Sequence, residues 1–251
     1  MLVMGILNVT PDSFADGGRH NEFEAAVARG IEMIAEGVDI IDVGGESTRP
    51  GAERVSEEEE IARTIPVIRE LAKHGATISI DTMRASTAEA AIKAGAAIIN
   101  DVSGGLADDA MLQTAARLKV PYIAMHWRGQ SKDMNSKAIY GDVVNDVIAE
   151  LNERIEAALD AGIQKDKLII DPGIGFAKDA EHNWAIIDAI DRFVELGYPV
   201  LVGASRKRFL GGDTPDEREQ ATIDLTKRLG TTGVWAVRVH SVKPHKEVLS
   251  S

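Results

Sequence analysis

TISIDTMRASTAEAAIKAGAAIIND, residues 77–101, contains one full repeat of this chain's architecture. The run TISI is short and apolar, of the kind that suits a strand buried on both faces of a parallel sheet. It ends on Asp81. The spacing then predicts a helix over about 85–94, and a second apolar run, within a strand predicted over 97–102, ends on Asn100-Asp101. A strand, a crossover helix and a parallel strand form the βαβ unit.

The same unit recurs in both directions. Upstream, VMGILNV (3–9) runs into Asn8, a helix is predicted over about 23–36, and DIIDVGG (39–45) runs into Glu46-Ser47-Thr48-Arg49. Ser56-Glu57-Glu58-Glu59 has the capping-box arrangement and opens a helix to about Lys73. Downstream, helices over 108–118, 141–161 and 183–195 alternate with strands over 121–126, 168–172 and 200–204. Thr214-Pro215-Asp216-Glu217 is expected to cap a last long helix before a strand over 234–240. Eight strands and eight crossovers predict an α/β fold: a single (β/α)8 TIM barrel over 1–251, with its site at the C-terminal ends of the strands. The length of 251 residues matches the roughly 250 such a barrel takes. A doubly wound open sheet is the competing architecture, but it usually has fewer strands and a glycine-rich first turn, and NVTPDSF is not one.

Composition narrows the function classes. Hydrophobic residues at 44% and charged residues at 27% are the balance of an ordinary soluble protein, and no apolar stretch approaches the roughly 20 residues of a membrane span. No basic segment followed by a cleavable apolar one opens the sequence, so the expectation is a cytoplasmic protein with no membrane role. The absence of cysteine excludes disulfides, thiol nucleophiles and Cys-ligated metal sites. A net charge of −12 argues against a nucleic-acid partner, so any bound anion must meet a local cluster of positive charge.

The polar residues at the strand ends carry the chemistry, because barrels place their active sites there. Asp81, Asn100 and Asp171 are short acceptors at the ends of the third, fourth and sixth strands. Inward carboxylates are costly unless something donates to them, so the trio implies a donor-rich ligand, for which the N–H edge of an aminopyrimidine or pterin is suited. A catalytic metal is the rival use; His126 and His240 are available for it, but a His-x-His pair on the first strand is missing. Asn8 can offer one oxygen to Mg²⁺, which in phosphate chemistry takes few protein ligands, although the surrounding Pro, Asp and Gly residues also make turns by themselves. The glycine-flanked stretch with Thr48, Arg49 and Pro50 reads equally as a solvated loop. Arg238 and His240 share one strand face and suit an anion, at the end of the barrel where phosphate is frequently held. The stretch Gly203-Ala204-Ser205-Arg206-Lys207 joins them there; Lys207 and Arg208 read as surface charge in isolation, and position favours a site role for Lys207 only.

MGILNVTPDSFADGG, DVGGESTRPGA, SIDTMRA, INDVSGG, MHWRG, DPGIGFAKD, GASRKRFLG and RVHSV together resemble, in order and spacing, the motif series of the dihydropteroate synthase family. The resemblance spans nearly the whole chain. It implies a folate-pathway transferase that joins p-aminobenzoate to 6-hydroxymethyl-7,8-dihydropterin diphosphate with Mg²⁺, in a homodimer packed through its outer helices. It places Asp81, Asn100, Met125, Asp171, Gly203 and Lys207 at the pterin, with Asp81, Asp171 and Lys207 in catalysis. It places Asn8, Arg238 and His240 at the diphosphate, Asn8 also at the metal, and Thr48, Arg49, Pro50, Phe176 and Ser205 at the aminobenzoate side.

Some positions depart from the family pattern. Ser241 stands where many members have Asp, which puts the support of that loop in question; Trp127 replaces a common Met; and Leu210–Thr214 is a short connection. Two other classes stay open. A pterin-dependent methyltransferase domain would share the barrel but hold no diphosphate, and a non-catalytic paralogue would bind pterin without turnover.

Overall fold

The computed structural model describes residues 1–10, 18–46, 55–129 and 134–250. Eight strands alternate with helices: β1 (Leu2–Asn8), α1 (Gly18–Ala35), β2 (Ile40–Gly44), α2 (Glu57–Lys73), β3 (Ile78–Asp81), α3 (Ala85–Ala94), β4 (Ile98–Asp101) and α4 (Met111–Leu118). The second half comprises β5 (Tyr122–Met125), α5 (Val143–Asp160), β6 (Leu168–Asp171), α6 (Ala180–Asp188), α7 (Ile190–Val194), β7 (Leu201–Val202), α8 (Glu219–Leu229), β8 (Ala236–Val239) and α9 (Lys243–Leu249). The strands form one parallel sheet in the order β6-β5-β4-β3-β2-β1-β8-β7, and a bridge between Ile170 and Val200 joins its two ends into a ring. The fold is the TIM barrel that the strand repeat implies.

Two apolar shells follow from the two-residue period of a strand. Val3, Ile41, Val43, Ile80, Ile99, Tyr122, Ile170 and Val237 point outward and join the helices in the large core. The alternate residues Met4, Ile40, Ile98, Ile123, Ile169, Leu201 and Ala236 pack against one another inside the barrel. That interior plug fills the lower barrel, so the next inward-facing residue, two positions further along each strand, reaches the upper rim.

Several helix starts differ from the sequence expectation: α1 begins at Gly18 and not near 23, α4 at Met111 and not at 108, and two further cases have a visible cause. The helix expected over 183–195 begins at Ala180, with Asp179 and His182 forming a capping box, and breaks at Ala189, where φ is −107° and ψ 24°. Neither Gly nor Pro marks that break. The Thr214 cap forms in a turn ahead of the helix: Thr214 Oγ1 accepts from Glu217 N at 3.3 Å, and Glu217 Oε2 accepts from Asp213 N at 2.8 Å. The helix proper begins at Glu219 because Arg218 folds back to donate to the carbonyls of Gly211, Gly212 and Asp213. These bonds brace the short connection after β7.

Candidate active site

Residues two positions beyond the interior plug define the upper layer. From Ile40 the period leads to Asp42, from Ile98 to Asn100, from Ile123 to Met125, from Ile169 to Asp171, from Leu201 to Gly203 and from Ala236 to Arg238. Asp81 joins them, because it pairs in register with Asn100. The strand period therefore brings Asp81, Asn100, Met125, Asp171, Gly203 and Arg238 to one face, and Asp42 with them.

Arg238 sits at the centre. Its Nε donates to Asp42 Oδ2 at 2.6 Å and an Nη donates to Asp81 Oδ2 at 2.6 Å, while Asn100 Nδ2 donates to Asp42 Oδ2 at 3.0 Å. Burial weakens the guanidinium's hold on its proton, but the adjacent carboxylates of Asp42 and Asp81 outweigh that and raise its pKa. Burial pushes Asp81 up to about 7 against the pull of Arg238, with Asp42 adding like-charge repulsion. Asp171 is also raised by burial, opposed by the Gly173 N–H and by the charge of Lys207; its Oδ1 accepts from Gly173 N at 2.7 Å. Asp42 is fully buried, and its Oδ1 and the neighbouring Ser79 Oγ have no hydrogen-bond partner among the described residues. Asp42, Asp81 and Asp171 thus face two cations, Arg238 and Lys207, which leaves spare acceptor capacity for a ligand rich in N–H groups.

Lys207 binds the Ile174 carbonyl, and its ammonium stands 4.6 Å from the centroid of the Phe176 ring. Burial lowers it to about 8, opposed by Asp171. Gly203 leaves room between two of the ligand-facing groups: a Cβ there would stand 3.8 Å from Arg238 Cβ and 3.9 Å from Asp171 Oδ2. Asn8, Gly44 and Asp81 also meet, since a Cβ on Gly44 would lie 3.5 Å from Asp81 Cβ and 3.8 Å from Asn8 Oδ1.

Ser205 is placed with His240: its Oγ lies 2.9 Å from His240 Nδ1 and accepts from His240 N at 3.2 Å. Its hydroxyl therefore orients the imidazole, while Phe176 sits across the rim with Lys207. Ser241 Oγ accepts from an Nη of Arg206 at 2.8 Å, and Arg206 Nε donates to Glu219 at 2.6 Å. The loop after β8 is thus braced through Ser241 and Arg206. Thr48, Arg49 and Pro50 lie outside the described residues. His126 is buried against Glu150 and Lys178, with no opening to the ligand face in its bonding pattern. The sequence reading passed over Asp42, whose signal is a carboxylate inside the apolar run DIIDVGG, and Lys178.

Such a barrel, with acidic acceptors interleaved with Arg238 and Lys207 at its mouth and His240 just past β8, defines an enzyme of the class that holds a flat nitrogen heterocycle carrying an anionic group. The family model described as pterin binding enzyme matches residues 4–240, and the chain belongs to that family. The dihydropteroate synthase of Mycobacterium leprae (strain TN) is 48% identical over 257 residues, covering 98% of this chain and 90% of the relative. The structure of Xanthomonas albilineans dihydropteroate synthase with 4-aminobenzoic acid superposes with a TM-score of 0.93 at 44% identity, over 99% of this chain and 90% of that one. The same enzyme in complex with 7,8-dihydropteroate gives 0.90 at 40%, over 99% and 91%.

Proposed function

We infer that the protein is a dihydropteroate synthase, a transferase that condenses p-aminobenzoate with 6-hydroxymethyl-7,8-dihydropterin diphosphate. The observation that carries this reading is the layer of Asp81, Asn100 and Asp171 facing Arg238, on a chain 48% identical over almost its full length to a synthase of that activity. The three acceptors receive the N–H groups of the pterin edge, and Lys207 lies beside Asp171 in the same mouth. Asn8, His240 and the guanidinium of Arg238 face the diphosphate, and Phe176 with Ser205 borders the aminobenzoate.

In the reaction the bond from the exocyclic methylene carbon to the diphosphate oxygen breaks, and its electron pair leaves with the diphosphate. The amine nitrogen then bonds to that carbon and gives up one proton to water. The aromatic amine is already a neutral nucleophile, so the demanding step is the departure. Arg238 and His240 act where that negative charge develops, and the carboxylates of Asp81 and Asp171 favour the positive charge left on the methylene and its conjugated ring. This dissociative course makes Asp81→Asn and Asp171→Asn lose far more turnover than binding; equal losses in both would remove it.

Mg²⁺ belongs to the same proposal. Among the described residues no group of three or more His, Asp or Glu could cage a metal, whereas the Asn8 amide oxygen on the rim suits a hard cation that takes its other ligands from phosphate and water. When bound, the ion supplies positive charge to the leaving group. Assembly as a homodimer through the outer helices and a cytoplasmic location complete the reading; light scattering on the purified protein and cell fractionation test them.

The deciding experiment mixes the protein with the dihydropterin diphosphate, p-aminobenzoate and Mg²⁺ and follows diphosphate and dihydropteroate. Formation of both that requires all three components supports the synthase. Tight pterin binding without release turns the reading to the non-catalytic paralogue.

A further inference from the structure

The segment between β6 and α6 adopts a conformation its backbone does not favour. Gly173, Gly175 and Ala177 all have positive φ, at 69°, 77° and 49°. For a residue with a side chain, such as Ala177, that region costs about 1–2 kcal/mol. Something outside the backbone must therefore hold the loop.

Lys178 is that group. It is 8% exposed, and its Nζ lies 2.8 Å from His126 Nδ1, 3.0 Å from Gly173 O and 3.0 Å from Phe176 O. Three acceptors match the three N–H bonds of an ammonium. Lys207 takes the intervening Ile174 carbonyl from the ligand side, so two lysines divide the carbonyls of one loop. Tyr140 adds a fourth tie, donating its hydroxyl to Ala177 O at 2.9 Å.

A relay stands behind Lys178. Because His126 accepts at Nδ1, it carries its proton at Nε2 and donates to Glu150 at 2.9 Å, and Arg128 Nε holds that carboxylate at 3.0 Å. Burial keeps His126 neutral, with a pKa lowered to about 4, as this arrangement requires. The loop that Lys178 braces begins at Asp171, whose Oδ1 is fixed by Gly173 N, and includes the Phe176 ring under Lys207.

We propose that Lys178 is a positioning residue for the reaction: from behind the β6–α6 loop it fixes the Asp171 carboxylate and the Phe176 ring. This rests on the synthase reading above. Burial lowers Lys178 to about 7, so it is a cation beside Asp171 on the acid side of neutrality. The charged and titratable groups facing Lys178 are Asp171, Lys207, Arg128, Glu150 and His126. Of these only Asp171 combines a place on the ligand face with a charge that Lys178 stabilises.

The test uses the full chain with Lys178→Met, Lys178→Gln and Lys178→Arg, recording far-UV circular dichroism, kcat, both KM values and the pH profile of kcat/KM. Wild type must first turn over; if it does not, the synthase reading fails and the variants are not the cause. With an active wild type, the Met and Gln variants are expected to lose about tenfold or more in kcat/KM through misplaced groups. Their acid limb is expected to move up by about one pH unit as Asp171 loses a neighbouring cation, and Arg is expected to restore it. A folded Met or Gln variant with wild-type kcat/KM and an unmoved acid limb overturns the proposal. Should neither neutral variant fold, the Arg variant decides: an acid limb at the wild-type position supports the role, and a displaced one overturns it.

Discussion

Arg238 holds Asp81 at 2.6 Å although the two residues stand 157 positions apart, and the same guanidinium holds Asp42 at 2.6 Å. Losing it would strand Asp42, since that carboxylate is buried and one of its oxygens already lacks a partner among the described residues. Breaking such a buried pair by removing one side costs about 3–5 kcal/mol. Arg238→Ala is therefore expected to lower the unfolding free energy, read from urea titration, by that order as well as weaken ligands that carry the diphosphate. Arg238→Lys should recover little, because a point charge cannot reproduce the planar fork that spans two carboxylates. Adding Asp42→Asn to Arg238→Ala should restore part of the stability. Additive losses in that cycle, or unchanged affinity for diphosphate-bearing ligands, would remove the respective role.

The opposed shifts of Asp81 and Lys207 set the activity window. The site needs Asp81 and Asp171 ionised and Lys207 protonated; burial raises both carboxyls, Asp81 up to about 7, and brings Lys207 down to about 8. Since kcat/KM reports the free enzyme, its profile is expected to rise through about 7 and fall through about 8, a narrow bell. Lys207→Arg should extend the alkaline limb, because a guanidinium does not lose its proton in that range. A profile that stays flat across this interval would show that these groups do not govern turnover.

The rim residues that sequence exposed are those for which strand period alone fixes direction. Asp81, Asn100 and Asp171 each end an apolar run, Arg238 stands inside one two residues before His240, and a two-residue alternation settles which way they face. Asp42 was hidden in its run, because its partner Arg238 lies 196 positions away and no local pattern announces the pairing. Lys178 was hidden for a similar reason: in GFAKD it looks like a solvated loop charge, and what makes it structural is His126, 52 positions earlier on a different strand. Ser241 was underrated, since its value comes from meeting Arg206 across two loops. The break at Ala189 has no Gly or Pro to mark it, so helical spacing ran straight through it.

Gly173 offers a clean test of the loop geometry against an internal control. Both Gly75 and Gly173 have positive φ, 76° and 69°, but a Cβ at Gly75 would meet nothing within 4 Å, whereas one at Gly173 would run into the His126 carbonyl oxygen. Gly75→Ala is expected to cost about 1–2 kcal/mol of stability from backbone conformation alone. Gly173→Ala adds a clash with fixed backbone and disturbs the N–H that orients Asp171, so it should cost clearly more and reduce turnover as well. Denaturant unfolding of the two variants side by side decides this, and equal losses would mean that the loop yields freely.

His126 should write a specific pH dependence into stability. Its folded pKa is lowered to about 4 from an ordinary 6.5, mainly by burial and by the charge of Lys178. Between those values the unfolded chain binds the extra proton, so the His126 contribution to stability increases with pH there and is lost as pH falls from 6.5 toward 4. Asp81, raised to about 7, contributes with the opposite sign as a background common to wild type and variant. The span of 6.5 − 4 = 2.5 units corresponds to about 3 kcal/mol for this buried group. Glu150, held down to about 2 against an ordinary 4.5, loses its own contribution only below 4.5, so the upper part of the window belongs to His126 within this pair. The buried His245, also lowered, contributes to the same window and remains as a constant background. In His126→Asn the slope of unfolding free energy against pH should therefore drop by about 1.4 kcal/mol per pH unit within that window, measured by urea titrations at successive pH values. A variant that keeps the wild-type slope would show that His126 does not stay neutral in the fold, and would break the link from Glu150 to Lys178 on which the ordering of the β6–α6 loop depends.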